Sequence, residues 1–225
     1  MKILVIDVGG TNVKLLATGR RTPIKIPSGP RMTPRLMVKQ VLAATADWEY
    51  DVISIGYPGP VLHGSPAREP WNLGKGWVRF DFRKAFRRPV RIINDAAMQA
   101  LGSYDGGRML FLGLGTGLGS TLIVDEMLIP LELAHLPYLH GRTYEEYLGE
   151  SGFRDLGKRS WRRHVAQVAA LFVDAFGVEY IVFGGGNSKR LAELPPKTRL
   201  GNNANAFKGG FRLWNDRARS RSLRA

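Results

Sequence analysis

Apolar residues in this chain fall into short blocks punctuated by glycine, proline and charge, and these blocks set out a series of strands with a few helices between them. Blocks such as Ile3-Leu4-Val5-Ile6 predict strands over 2–7, 12–18, 23–27 and 51–57. Thr33-Pro34, a hydroxyl cap followed by a proline in the first turn, predicts a helix running from Arg35 to Trp48. Residues 58–76 read as a long Pro/Gly loop, of a length that is usually functional or disordered. A short helix near 81–86, a strand over Val90 to Ile93 and a helix from Ala96 to about Ser103 complete the first half. The second half repeats the theme, with strands at 108–113, 119–125 and 127–130, helices near 143–150 and 160–176, a strand at 179–183 and a final helix near 204–216. Each half opens with strand, glycine turn and strand, which predicts a duplicated α/β fold with a cleft. The expected lobes are 1–103 and 104–216, the last helix being free to return to the first lobe, and the basic tail 217–225 is expected to be disordered.

The glycine turns carry the candidate chemistry. In Asp7-Val8-Gly9-Gly10-Thr11-Asn12-Val13-Lys14 an acid ends a strand, and two glycines, a hydroxyl and a cation follow. Glycines let backbone N–H groups approach a bound anion, Thr11 and Lys14 can meet phosphate oxygens, and Asp7 can hold a metal ion through water. Taken singly, the turn also reads as an ordinary hairpin whose acid caps it. Leu112 to Ser120 forms a second cluster with Gly115, Thr116 and Gly117 at its centre, and Gly184-Gly185-Gly186-Asn187-Ser188-Lys189 a third. Each leaves an apolar strand. None opens a helix as a dinucleotide fingerprint does, and none has the spacing of a Walker loop.

Composition narrows the class. A hydrophobic content of 44% is that of a globular chain, and no window has the uninterrupted apolar length of a membrane span. The start runs straight into a strand, so no signal peptide is expected. With no cysteine the chain forms neither disulfides nor thiolate metal sites, which fits a cytoplasmic location. The net charge of +14 raises nucleic acid as a partner, yet no helix-turn-helix, zinc-finger or aromatic RNA-binding signature accompanies it. Basic groups at Arg83-Lys84, Arg87-Arg88, Lys158-Arg159 and Arg162-Arg163 are dispersed. They read either as a solvated surface or as a field that concentrates a polyanionic substrate.

Asn94-Asp95 ends one apolar strand and begins a helix. A carboxylate there serves equally as a helix cap or as a general base facing the crevice at the strand ends. The ordered set Asp7-x-Gly9-Gly10-Thr11, Gly56-Tyr57-Pro58-Gly59, Asn72-Leu73, Asn94-Asp95-Ala96, Leu112 to Gly119, Glu132-x-x-His135 and Gly184-Gly185-Gly186 resembles the ROK family of sugar kinases over roughly residues 1 to 212. The resemblance implies the actin-like (ribonuclease H-like) ATPase/sugar kinase fold, two α/β lobes with a central cleft. It makes Asp95 the base that takes the proton of the sugar 6-hydroxyl. It makes Asn72, Asn94, Glu132, His135 and Glu145 sugar ligands, with Glu146 as the alternative to Glu145. By the same likeness Asp7, Gly9, Gly10, Thr11, Lys14, Gly115, Thr116, Gly117, Gly185, Gly186 and Lys189 face phosphate, and Mg²⁺ is held by Asp7 through water. A homodimer is also implied.

The chain departs from most of that family. The cysteine-rich zinc loop is missing, so no structural zinc is expected, and Ala134 stands where a glycine precedes the histidine. Only twelve residues separate Lys189 from Asn202-Asn203, where ATP-using members carry a longer stretch with a helix along the adenine pocket. In these respects, and in Ile26-Pro27, Thr33-Pro34, Tyr144-Glu145-Glu146-Tyr147 and Gly184 to Lys189, the chain resembles the polyphosphate glucokinases. A phosphate chain needs a run of cations, for which Lys14, Lys189, Lys197, Arg199 and Lys208 are candidates. The reading is therefore a kinase for glucose or a close hexose with inorganic polyphosphate as donor. An ATP-dependent glucokinase, or a non-catalytic sugar- or polyanion-binding protein, is the alternative. Neither nucleic acid nor membrane is an expected partner.

Overall fold

The computed structural model describes residues 1–202 and 204–215. Asn203 and the basic tail, both drawn on above, lie outside the described residues, as does position 216 at the end of the expected last helix. The chain divides into two compact units, residues 1–98 with 206–215, and residues 99–205.

The first unit contains β1 (Ile3–Val8), β2 (Asn12–Ala17), β3 (Ile24–Pro27), α1 (Pro34–Ala44), β4 (Val52–Tyr57), the small hairpin β5 (Val61–Leu62) and β6 (Ser65–Pro66), α2 (Phe82–Phe86), β7 (Val90–Asn94) and the start of α3 (Asp95–Ser103). Its sheet runs β3-β2-β1-β4-β7, antiparallel through β1, β2 and β3, and parallel through β1, β4 and β7. Strands β1 and β4 are buried at every position, because apolar side chains cover both faces of the parallel centre. Thr33 caps α1, its hydroxyl accepting from the Leu36 N–H, with Pro34 in the first turn as the sequence predicts. The helix ends at Ala44, short of Trp48, because the Thr45 hydroxyl turns back to the Val41 carbonyl and Trp48 closes a further turn.

The second unit continues with β8 (Arg108–Leu114), β9 (Leu118–Val124), β10 (Met127–Leu131), a 3-10 turn at Leu133–His135, the hairpin β11 (Pro137–Leu139) and β12 (Arg142–Thr143), α4 (Tyr144–Leu148), α5 (Glu150–Phe176), β13 (Tyr180–Gly184), a 3-10 turn at Gly186–Arg190 and β14 (Thr198–Leu200). Its sheet runs β10-β9-β8-β13-β14, with two antiparallel neighbours on one side of β8 and two parallel strands on the other. This repeats the strand order and directions of the first sheet. Helix α5 starts ten residues earlier than the expected helix at 160, and Gly157, at φ 71°, breaks it into two segments. The apolar side of its second segment, Trp161, Val165, Val168, Ala169 and Phe172, packs into the unit's core.

The final helix α6 (Asn205–Arg212) belongs mainly to the first unit. Ala206 and Phe207 pack with Ile3, Val5, Val52 and Met98. The Ser54 hydroxyl fixes this helix, donating to the Gly210 carbonyl at 2.6 Å and accepting from Trp214 Nε1 at 2.9 Å. Ser54→Ala leaves both partners unsatisfied in a buried position, so a loss of about 1–3 kcal/mol is expected in chemical denaturation. A loss under a few tenths of a kcal/mol would refute this anchoring role. No helix among the described residues is long and apolar enough to cross a membrane.

Candidate active site

The first cradle is the three-residue connection Gly9-Gly10-Thr11 between β1 and β2. The Gly9 N–H donates to the Asn12 carbonyl at 3.0 Å, which closes the turn tightly and leaves Gly10 and Thr11 exposed at its tip. Ser28 braces it from β3's end: its hydroxyl donates to the Gly9 carbonyl at 2.6 Å and its N–H to the Thr11 carbonyl at 2.9 Å. A Cβ on Gly10 would lie 3.1 Å from the Asn72 Cβ, so the loop around Asn72 packs on this turn and glycine is what makes room. That loop is itself held. The Glu69 carboxylate accepts from the N–H groups of Gly76, Trp77 and Val78, and Leu73 and Trp77 are buried.

Asp7 is buried at the end of β1, and Lys14 Nζ stands 3.0 Å from its Oδ2. In this state Lys14 therefore serves as the counter-ion of Asp7. Asp95 starts α3 at the end of β7, its Oδ1 accepting the Ala96 N–H at 2.8 Å. The residue keeps a minor part of its surface open, while protein atoms crowd the carboxyl group. Burial first, and then the charge of Asp7, push the Asp95 carboxyl up to about 7, while the Ala96 N–H and, last, Lys14 pull it down. Asp95 thus combines a bond to the first turn of α3 with a carboxyl shifted by its surroundings. The capping acceptor is Asn94, whose Oδ1 takes the Ala97 N–H at 3.1 Å while its amide donates to the Gly59 carbonyl at 3.1 Å. One amide hydrogen of Asn94 is left for a ligand.

In the second unit Gly115-Thr116-Gly117 joins β8 to β9 through another three-residue connection. The Gly115 N–H donates to the Gly117 carbonyl at 3.0 Å, and Thr116 is exposed at the tip as Thr11 is in the first turn. Asn187 donates to the Gly115 carbonyl at 3.0 Å and the Glu150 N–H to the Thr116 carbonyl at 3.3 Å, so the third glycine turn and α5 both brace this loop. Glu145 reaches over it, its Oε2 accepting the Leu118 N–H at 3.1 Å, which leaves Oε1 for a ligand. Glu146 is committed elsewhere: with Thr143 it forms a reciprocal capping box for α4. Of the two glutamates, Glu145 is the one that stands outside the capping box. Glu132 and His135 flank the 3-10 turn, exposed and 3.9 Å apart. Gly185, at φ 78°, presses against the Leu114 carbonyl, Gly186 is open to solvent and Lys189 is exposed beside it.

Asp7, Gly9, Gly10, Thr11, Lys14, Asn72, Asn94 and Asp95 thus lie in the first unit. The second unit holds Gly115, Thr116, Gly117, Glu132, His135, Glu145, Gly185, Gly186 and Lys189. Sequence reasoning missed the braces Ser28, Asn187 and Glu150. Only the Pro27-Ser28-Gly29-Pro30 turn signal and the asparagine inside the third glycine cluster hint at them.

A duplicated five-stranded α/β sheet whose first hairpin in each copy forms a glycine cradle is the architecture of the ROK sugar kinases, of the actin-like ATPase fold. No family profile matches the chain. In sequence it is similar to the polyphosphate glucokinase of Mycobacterium tuberculosis, 28% identical over 213 residues that span 85% of this chain and 80% of that one. Among solved structures it resembles the inorganic polyphosphate/ATP-glucomannokinase of Arthrobacter sp. strain KM, with a TM-score of 0.77 and 24% identity over 93% of this chain and 96% of that one. A ROK family glucokinase from Streptomyces griseus, in complex with glucose and AMPPNP, has a TM-score of 0.72 at 16% identity, covering 95% and 99%.

Proposed function

We propose that this chain is a sugar kinase that transfers a phosphoryl group from inorganic polyphosphate to the 6-hydroxyl of glucose or a close hexose. The observation that carries the reading is the Asp95 carboxyl, poised at about 7 beside the Asp7–Lys14 pair and the first glycine cradle. A general base works best when its own pKa lies near the operating pH, because enough of it is ionised and the gain on taking a proton is still large. Asp95 accepts the hydroxyl proton as the oxygen attacks phosphorus. In the first unit Asn72 and Asn94 are the proposed ligands of sugar hydroxyls, and in the second unit Glu132, His135 and Glu145 are the candidates that the family resemblance names. Carboxylates and amides suit that task because each engages two hydroxyls. The N–H groups at the tips of the two turns, at Gly10, Thr11 and Thr116, donate to phosphate oxygens, and Thr11, Thr116 and Lys189 add side-chain donors.

The donor set suits magnesium and no all-protein metal cage. Among the described residues no group of three or more His, Cys, Asp and Glu side chains is placed to hold a metal ion. Asp7 has one carboxylate oxygen beyond its bond to Lys14, which matches an ion that keeps most of its water and binds by one carboxylate and the donor's phosphates. When bound, Mg²⁺ offsets charge on the transferring group.

Two observations favour polyphosphate over ATP. The Mycobacterium tuberculosis relative is named for polyphosphate alone, and the glucomannokinase for polyphosphate and ATP together. Residues 191–197 run as turns into the short strand β14, where the resemblance leads one to expect a helix along a purine in ATP-using members. A matrix of donors and hexoses on purified protein tests the reading. Glucose phosphorylation is expected with polyphosphate at a kcat/KM at least tenfold above that with ATP. Turnover with ATP alone would overturn the donor assignment, and turnover with no hexose would favour a binding protein.

A further inference from the structure

The first turns of α5 beyond the Gly157 break carry Lys158, Arg159, Arg162 and Arg163. On a helix Lys158 stacks over Arg162 and Arg159 over Arg163, so two rows of like charge adjoin, and such i,i+4 pairs are destabilising. Cations in the first turn of a helical segment also oppose its dipole. Among the described residues no ion pair involves Lys158, Arg159 or Arg163. Asp155, the nearest acid in sequence, pairs with Arg142 at 3.1 Å. The ridge is therefore charged at a cost to the helix that carries it.

This ridge is connected to the second glycine cradle. Arg162 donates through Nε to the Arg190 carbonyl at 2.7 Å, at the end of the 3-10 turn that begins at Gly186. The Arg190 guanidinium pairs with Glu150 at 3.0 Å and lies 3.9 Å over the Phe153 ring. Asn187 in the same turn holds the Gly115 carbonyl, and Lys189 is exposed between them. Hydrogen bonds thus link the Gly115-Thr116-Gly117 turn through Asn187 and Arg190 to Arg162 on α5, with Lys189 exposed at one end of that link and Lys158, Arg159 and Arg163 exposed at the other.

We propose that this ridge binds the distal phosphates of a linear inorganic polyphosphate whose terminal group lies on the Gly115–Gly117 turn. The inference rests on the polyphosphate-donor reading for its choice of ligand. A string of phosphates fits because its charges repeat along a line, as the cations do here, whereas ATP carries no phosphates beyond its short tail.

The test is the variant Lys158→Gln/Arg159→Gln/Arg163→Gln, which removes exposed charges and spares Arg162 with its bond to Arg190. Its charge-matched control is Arg31→Gln/Arg35→Gln/Lys39→Gln on exposed positions of the first unit. Binding of end-labelled polyphosphate, several tens of phosphates long, is read by anisotropy on folded protein confirmed by thermal melting. The ridge variant is expected to bind at least tenfold more weakly than the native chain, and the slope of log affinity against log salt to shrink by about 2 for the three charges lost. The control is expected to keep native affinity. Equal binding by native and ridge variants, or no binding by the native chain, overturns the proposal, as does tighter binding of duplex DNA than of polyphosphate at the same residues. Turnover judges the donor reading separately. An enzyme that uses ATP alone ends that reading, while the binding comparison still decides the ridge.

Discussion

Asp95→Asn is expected to lower kcat by ~10²–10⁴-fold while leaving hexose affinity near native, because the amide keeps the shape and the hydrogen bond to Ala96 but accepts no proton. Steady-state kinetics and calorimetric sugar binding read the two quantities on one preparation. In the native enzyme kcat/KM should climb with pH and level off above about 7, where the Asp95 carboxyl is ionised. Stability should move the other way. A carboxyl raised from 3.8 to about 7 holds its proton more tightly in the folded chain than in the unfolded one. The folded state therefore loses stability as pH rises from about 4 to about 7, and Asp95→Asn, neutral throughout, escapes that loss. The variant should melt above the native protein at pH 8, with the gap closing near pH 4. An Asp95→Asn protein of native turnover, or one that melts below native at pH 8, would remove this residue from the role of base.

Gly185→Ala is expected to damage the second unit severely. The backbone there has φ 78° and ψ 168°, a region that side chains essentially never occupy and that costs about 1–3 kcal/mol. A Cβ at this position would also stand 2.3 Å from the Leu114 carbonyl oxygen, so backbone has to move, at a further cost of ~1–3 kcal/mol. Since Leu114 leads directly into Gly115, the displacement reaches the second cradle and donor use should fall with stability. Denaturant unfolding should show a loss of roughly 3 kcal/mol; a change within about 0.5 kcal/mol would mean that the close approach has little energetic weight.

Much of this was legible in the chain before any coordinates. The glycine hairpins, the Thr33 cap and the position of Asp95 at a strand end all depend on local residue chemistry, and local chemistry is what a sequence displays. The short strands β5, β6, β11, β12 and β14 were invisible because two or three residues carry no alternation to read. The first segment of α5 falls between the expected helices at 143–150 and 160–176, where Gly152 and Gly157 lower helix propensity yet serve as a tight packing point and a break. That Glu146 and not Glu145 closes the capping box with Thr143 was equally hidden, since the two glutamates are adjacent in sequence. The raised Asp95 carboxyl was out of reach for a different reason. It depends on burial and on Asp7, a residue brought near only by the pairing of β1 with β4 and of β4 with β7.

The matching hairpins differ in one respect that bears on metal binding. The two units share one strand order and a first connection of the same length. Two residues ahead of the first turn stands Asp7, and at the equivalent place ahead of the second stands Gly113. One loop is preceded by an acid that its counterpart lacks, so of these two positions only the first offers a carboxylate to a hydrated cation.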